Sequence, residues 1–272
     1  MTPAAYIACD RLDALSSANR GLNYGDGIFE TMRVHHGTLP LWPRHLARLR
    51  TGAQRLGIGL PDPAFIEARI SEHIASVDSG VLKLLLTRGD GGRGYAPTDC
   101  SEPVWMLSLH PLPVSKDGLR LGWCETRLAI QPALAGIKHC NRLEQVLARA
   151  EVERAGADEG LMRDGDGLVV SATAANLLVH RDGRWWTPPV ERCGVAGVLR
   201  GLLLESGRAE ITELGVETVE TADALALCSA VRGILRVERL DACRFPQHPA
   251  VHELQVALAM FCPMFAMAGE TA

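Results

Sequence analysis

The chain has no apolar run approaching the roughly 18 to 20 residues of a membrane-spanning helix, so no membrane partner is expected. Its amino terminus, MTPAAYIACDRLD, lacks the basic-then-apolar layout of a signal peptide, which makes a cytoplasmic location the expectation. Positive charge is not in excess either: 28 Lys and Arg stand against 32 Asp and Glu, a formal charge of −4. Nucleic acid binding without sequence preference needs a basic footprint, so no nucleic acid partner is expected and a small-molecule substrate is the better default. The cysteines lie at 9, 100, 124, 140, 193, 228, 243 and 262, with no CxxC pair and none within four residues of another. That spacing excludes a zinc knuckle, no HExxH occurs among the histidines, and no metal is expected. Isolated thiols in apolar settings such as Ala-Leu-Cys228 read as reduced core residues. The neighbouring His35 and His36 would point to opposite faces of a strand.

What is present is ample apolar sequence: 272 residues, 47% hydrophobic, enough for one large domain or two ordinary ones without covalent staples. Leu46, Leu49, Ala53 and Leu56 recur at helical spacing after Pro43, and Phe65, Ile66, Ile70, Ile74 and Ala75 give a second apolar face over 63–77. Strand-like runs lie at 28–34, 81–87 and 104–109. The stretch LHPLPVSKDG, 109–118, is rich in proline and turn formers and reads as a linker between a domain of residues 1–108 and a larger one of 119–272. After it come a strand over 119–127, a helix over 141–155 and short strands broken by Asp-Gly turns at 164–165, 166–167 and 182–183. A helix over 195–205, apolar strands at 223–228 and near 234, and a terminal helix over 250–261 follow. The fold class expected is α+β in two domains, a smaller amino-terminal α+β domain and a larger strand-rich one.

Chemistry concentrates in GIKHCNRLEQV, residues 136–146. Lys138 stands between an apolar residue and a helix start, where an amine can be held in place, partly desolvated, and act as a nucleophile at neutral pH. Gly194-Val195-Ala196-Gly197-Val198-Leu199-Arg200 is a glycine-bearing turn entering a helix, and such a start offers amide donors on the positive end of a helix dipole. Glycines also precede helices for purely conformational reasons, so this turn gains meaning only beside other signals.

Those signals occur in a fixed order: NYGDGIFETMRV at 23–34, TRGDGGRGY at 87–95, GIKHCNRLEQV, AANLLV at 174–179 and TPP at 187–189. In this the chain resembles the fold type IV pyridoxal-phosphate enzymes, which include branched-chain and D-amino acid aminotransferases. The resemblance covers essentially the whole chain, and KHCNRLEQV and RGDGGRGY favour a lyase member over the transaminases. It implies a homodimer with pyridoxal 5′-phosphate as cofactor, held covalently by Lys138, which would then act as general acid and base. By matching position it assigns the phosphate to Arg48 of RHLARL, whose guanidinium fork suits phosphate geometry, and to backbone amides at Val198 and Leu199. A further phosphate contact in the family comes from a threonine where this chain has Ala230, so only backbone donors remain there. Tyr24, Phe29, Thr31 and Arg33 fall in a segment that lines the family's active site. Arg93 and Tyr95 fall on a loop that reaches the pocket, in some members from the partner subunit, and an arginine there would suit a dicarboxylate. Asn141 and Arg142 follow the lysine closely enough for either to touch cofactor or substrate, while Asn141 is also a sound helix cap.

One departure stands out. The resemblance places Ser171, of VVSATAANLL, where the aminotransferases carry a glutamate that keeps the cofactor's ring nitrogen protonated. A serine cannot hold that proton by charge; it offers only a neutral hydroxyl, which can also satisfy itself on nearby backbone. A weaker electron sink handicaps transamination more than an elimination driven by formation of an aromatic ring, so Ser171 points to the lyase outcome.

Overall fold

The computed structural model describes residues 6–8 (as backbone only), 15–97, 102–114 and 116–266. Ser115 of the proline-rich stretch, Cys9, Cys100 and most of the amino-terminal segment lie outside the described residues. The chain forms two compact units: residues up to Leu112 together with Ile137–Asn141, and Pro113–Gly136 together with Arg142 onward. The lysine-bearing segment, expected in the second domain, thus groups with the first.

The first unit contains β1 (Tyr6–Ala8), α1 (Arg20–Tyr24), β2 (Gly27–His35), α2 (Trp42–Leu56), α3 (Pro63–Ile74), β3 (Ser79–Thr87) and β4 (Val104–His110). Its sheet runs β1-β4-β3-β2, with β2, β3 and β4 antiparallel and β1 parallel to β4. Alternation along β2 buries Ile28, Met32 and Val34 and leaves Phe29, Thr31 and Arg33 half-buried on the other face. The buried set packs with Leu82, Leu84, Leu86 and Leu107 against Leu49 and Ala53 of α2 and Ile66, Ile70 and Ile74 of α3. Pro43 occupies the first turn of α2 and Gly57 closes it in the left-handed conformation that glycine adopts without strain. The short α1 has no sequence periodicity; it forms because the Asn19 side chain accepts from the amides of Gly21 and Leu22.

The second unit contains β5 (Leu119–Trp123), α4 (Leu143–Arg154), β6 (Glu159–Arg163), β7 (Val169–Ala172), β8 (Asn176–Arg181), β9 (Arg184–Thr187), α5 (Val198–Glu205), β10 (Glu210–Ile211), α6 (Val216–Glu220), β11 (Ala224–Ser229), β12 (Gly233–Leu240), β13 (Cys243–Arg244) and α7 (Pro249–Phe261). The strands run β10-β9-β8-β11-β12-β5-β6-β7, with β13 on β12, and β7 also pairs β8. The path β8-β11-β12-β5-β6-β7 therefore returns to β8 and closes on itself, leaving those strands without a free edge. The closing pair is Ser171 opposite Asn176. Leucines and valines of the ring strands, among them Leu121, Leu161, Leu177, Leu225, Leu227 and Val237, form this unit's core. The α+β class and the strand-rich second half match the expectation from sequence.

Several local expectations need correction. The strand expected over 119–127 ends at Trp123, because the Glu151 carboxylate takes the amides of Glu125 and Thr126 at 2.6 and 3.1 Å and replaces the ladder. The helix expected from 195 begins at Val198: Val195 is bridged to Gly136, the Ala196 amide donates to Gly136 O, and Gly197 is extended, so these residues stay outside the helix. Asn141 does not cap α4, which starts at Leu143 with Arg142 in the cap position and no side-chain cap bond. Its side-chain amide instead donates to Gly25 O at 3.1 Å. His35 and His36 do not alternate across a strand; His36 has φ 47°, its ring lies 4.2 Å from that of His35, and its Nδ1 lies 2.6 Å from Asp78. Among the described cysteines, Cys124, Cys193, Cys228 and Cys262 are buried and outside any disulfide, and Cys140 and Cys243 are partly exposed.

Candidate active site

Lys138 is fixed by its backbone before its side chain is considered. The segment 137–141 runs beside the start of β2: the Phe29 amide donates to Lys138 O at 2.9 Å and the Cys140 amide to Gly27 O at 2.8 Å. Ile137 is buried, and His139 bridges Ile28. Gly27 is hemmed in on both sides: a Cβ there would stand 2.6 Å from Leu86 O of β3 and 3.3 Å from Cys140 Sγ of the lysine-bearing segment. The Lys138 Nζ lies 4.3 Å from the centre of the Phe29 ring, whose face accommodates an ammonium and whose bulk limits its hydration. A second amine, Lys83 Nζ, lies 5.4 Å from the same ring; Lys83 pairs with Thr31 across β2 and β3 and was not apparent as a site residue from sequence.

The opposite face of β2 carries a carboxylate in the apolar core. Glu30 is 1% exposed. It is tolerated because it is fully partnered: His45 Nδ1 lies at 2.6 Å, Arg48 Nε at 2.8 Å and Arg48 Nη2 at 2.5 Å. His45 and Arg48 stand three apart on α2 and so share a face. Burial opposes ionisation of Glu30, but the Arg48 charge and the Arg48 and His45 hydrogen bonds prevail, and its pKa falls to about 2. Burial lowers the His45 pKa despite its bond to Glu30. A neutral imidazole facing a carboxylate must donate from Nδ1, and its buried Nε2 has no hydrogen-bond partner. The site that sequence assigned to Arg48 alone is thus a buried triad. Its signal was present, since Glu30 occupies an inward position in the alternation of Ile28, Met32 and Val34.

The structure brings Tyr24 and Tyr95 together, with ring centres 5.5 Å apart, edge to face. Tyr95 is 86% exposed and Arg93 is exposed, while Arg33 is half-buried, and burial lowers its pKa.

In the second unit Ser171 is buried at the strand pair that closes the ring. Its neighbour across that pair, Asn176, donates Nδ2 to Val195 O at 3.0 Å and so secures the turn before α5. Gly197, the residue preceding α5, is required by closeness: a Cβ would meet Asn176 Oδ1 at 1.9 Å. No side chain caps α5, so the first-turn amides, including those of Val198 and Leu199, remain oriented donors. Arg200, buried on α5, donates Nε to Thr187 Oγ1 at 3.3 Å and Nη2 to Pro188 O at 2.8 Å, and Thr187 Oγ1 donates to Leu177 O at 2.9 Å. The TPP segment is thereby tied to the first turn of α5. Ala230 follows β11, half-buried, and the nearby Ser229 hydroxyl accepts from the Arg232 amide. Asn176 and Arg200 were not apparent as site residues from sequence, although both lie within the motifs singled out there.

The two units have the architecture of a fold type IV enzyme, with a pinned lysine and an arginine paired to a buried carboxylate in one and an uncapped glycine-led helix start in the other. The chain belongs to the amino-transferase class IV family, whose model matches residues 27–240. It is 34% identical over 235 residues to the aminodeoxychorismate lyase of Vibrio harveyi, covering 82% of this chain and 86% of that one. The crystal structure of 4-amino-4-deoxychorismate lyase from Pseudomonas aeruginosa superimposes with a TM-score of 0.86 at 44% identity, covering 92% of this chain and 96% of that one. The PLP-bound form of a hypothetical aminotransferase from Mycobacterium tuberculosis shares the fold, with a TM-score of 0.81 at 22% identity over 94% of this chain and 96% of that one.

Proposed function

We propose that this protein is a pyridoxal-phosphate-dependent lyase that converts 4-amino-4-deoxychorismate to 4-aminobenzoate and pyruvate, a step serving folate synthesis, and that it works as a cytoplasmic homodimer. The observation that carries this reading is the lysine amine held over the Phe29 ring by the backbone bond between Phe29 and Lys138. The residues present suit the cofactor. An amine is available to hold it covalently, a guanidinium supported by Glu30 matches a phosphate, and the start of α5, which admits no Cβ at Gly197, offers amide donors to a dianion. Arg48, Val198 and Leu199 would bind the phosphate, with backbone donors near Ala230, and Ser171 would offer its hydroxyl to the ring nitrogen. When bound, the cofactor supplies an electron sink conjugated to the carbon that bears the substrate nitrogen.

Lys138 carries the protons. With the cofactor bound, a neutral Nζ would take the proton from the substrate carbon bearing the nitrogen; the ring C–O bond would break with its electron pair leaving on the enolpyruvyl oxygen as the ring becomes aromatic, and Nζ would return that proton to the CH2 carbon of the departing enolate, giving pyruvate. Phe29, Thr31 and Arg33 form the sheet face beside Lys138, while Tyr24, Arg93 and Tyr95, with Asn141 and Arg142, are the proposed substrate contacts. Arginine suits the two carboxylates of this substrate.

The test is release of pyruvate and 4-aminobenzoate from enzymatically generated aminodeoxychorismate, with Lys138→Ala as the control. Full activity in that variant removes the mechanism. The second reading, an aminotransferase, is favoured by the family match and the shared fold. Turnover with an amino donor and 2-oxoglutarate, without pyruvate release from aminodeoxychorismate, would select it.

A further inference from the structure

The loop bearing Arg93 and Tyr95 has no regular secondary structure and four glycines between 89 and 94, a composition that on its own gives a pliant turn. Its backbone is nevertheless fastened at both ends to the short α1 region. At one end the Arg20 amide donates to Gly89 O at 2.8 Å, the Gly91 amide to Ala18 O at 3.1 Å, and Asn19 bridges Asp90. At the other, the Arg20 guanidinium takes three successive carbonyls: Gly94 O and Ala96 O from Nη1 at 3.2 Å each, and Tyr95 O from Nη2 at 2.9 Å.

Arg20 is itself immobilised. Its side chain is 4% exposed, and Nε donates to Asp26 Oδ2 at 2.9 Å. Its guanidinium carbon lies 4.9 Å from the centre of the Tyr24 ring. Asp26 accepts in turn from Arg88 Nε at 2.8 Å and Nη2 at 3.2 Å, and Arg88 also donates from Nη2 to Leu56 O and from Nη1 to Gly57 O at the end of α2, at 2.6 and 2.7 Å. Burial alone would raise the Asp26 pKa, but the Arg88 and Arg20 bonds hold it below the ordinary value, so the hub stays ionised. The result is a loop whose carbonyls point inward onto one cation while the Arg93 and Tyr95 side chains stay exposed. A planar fork can hold three carbonyls at fixed directions; an ammonium on a flexible stem cannot.

We propose that Arg20 is a positioning residue for substrate recognition: through Asp26 it preorganises the 89–96 loop so that Arg93 and Tyr95 meet a dicarboxylate substrate without ordering the loop at each encounter. This rests on the reading of Arg93 and Tyr95 as substrate contacts. Two measurements on the holoenzyme test it. Arg20→Lys keeps the charge and removes the fork; cleavage by trypsin after Arg93, followed by the appearance of peptides beginning at Gly94, is expected to accelerate about tenfold as the loop opens locally. Steady-state kinetics is expected to show KM raised about tenfold with kcat within about twofold, the split of an ordering defect rather than of a lost catalytic group. Gly91→Ala is the second variant, in case Arg20→Lys does not fold. Its Cβ would stand 2.6 Å from Arg20 Cδ, so it displaces the same side chain from the loop and is expected to act in the same direction. Unchanged cleavage after Arg93 in a folded variant overturns the proposal, as does an unchanged KM where Arg93→Ala raises it. An unchanged KM in Arg93→Ala overturns instead the substrate reading of the loop, and the cleavage rate still decides whether Arg20 clamps it.

Discussion

Glu30 accepts from both Nε and Nη2 of Arg48, at 2.8 and 2.5 Å, inside an apolar core where the carboxylate is 1% exposed. The pair makes the fork of Arg48 rigid and leaves its net charge balanced in the absence of an anion. It also links folding to pH. Because the Glu30 pKa falls from 4.5 to about 2 on folding, its stabilisation is complete above the ordinary value and is lost as pH falls through 4.5 toward 2. The depression corresponds to about 3 kcal/mol. Urea unfolding at pH 7 and at pH 3 should show wild-type stability falling across that interval, and Glu30→Gln should flatten this part of the profile. The same variant leaves the partly exposed Arg48 without its counter-charge and should cost about 2 to 4 kcal/mol at pH 7. Equal acid slopes in the two proteins would contradict the assignment.

At the start of α5 the decisive distance is steric. A Cβ on Gly197 would stand 1.9 Å from Asn176 Oδ1, whereas one on Gly201, a turn later on the same helix, meets nothing within 4 Å. Gly197→Ala should therefore destabilise by about 1 to 3 kcal/mol and weaken pyridoxal-phosphate binding, because the strain falls on the turn that aims the Val198 and Leu199 amides. Gly201→Ala should be neutral or stabilising by up to about 1 kcal/mol, since alanine is the better helix former. Thermal unfolding and titration of the apoenzyme with cofactor separate the two. Equal cofactor affinities would mean that the α5 amides do not bind the phosphate.

The features that could be read in the sequence are those set by local periodicity. Leu46, Leu49 and Ala53 mark the buried stripe of α2, and the alternation of Ile28, Met32 and Val34 marks β2. The short α1 could not be read this way: five residues hold no repeat, and the helix depends on the Asn19 cap and on contacts of Arg20 with a loop some seventy residues away. The ring closure at Ser171 and Asn176 was hidden for a similar reason, since pairing between strands depends on register and leaves little local trace. In the site, Lys138 and the start of α5 lay in compact motifs. The Glu30 triad did not, because its members are joined only when α2 packs on β2 and brings His45 and Arg48 over the strand.

The Lys138 amine sits 4.3 Å from the Phe29 ring centre, and the proposed covalent attachment needs it there. Reduction of the holoenzyme with borohydride, followed by digestion and mass spectrometry, should place the cofactor mass on the peptide containing Lys138. Lys138→Ala should lose the adduct and at least about a thousandfold of pyruvate release, the scale of a missing nucleophile and proton carrier. Phe29→Ala should keep the adduct with slower turnover, because the amine remains while the ring that limits its motion and hydration is gone. An adduct on Lys83 instead would transfer the role to the other amine at the same ring.

Ser171 is 8% exposed, so whatever faces its hydroxyl is poorly screened by water. A neutral hydroxyl opposite the cofactor's ring nitrogen supports the electron sink less than a carboxylate, which would hold a proton on that nitrogen by charge. Elimination of pyruvate gains an aromatic ring and can proceed with the weaker sink, whereas transamination must return a proton to the cofactor side and gains nothing comparable. Ser171→Glu should therefore raise the ratio of transamination to pyruvate release about tenfold, measured in parallel on the same cofactor-loaded preparation. Ser171→Ala removes the hydroxyl without adding charge and should leave that ratio near the wild-type value. If glutamate and alanine variants partition alike, the residue at 171 does not set the reaction outcome, and the preference for elimination must come from the groups that bind the substrate.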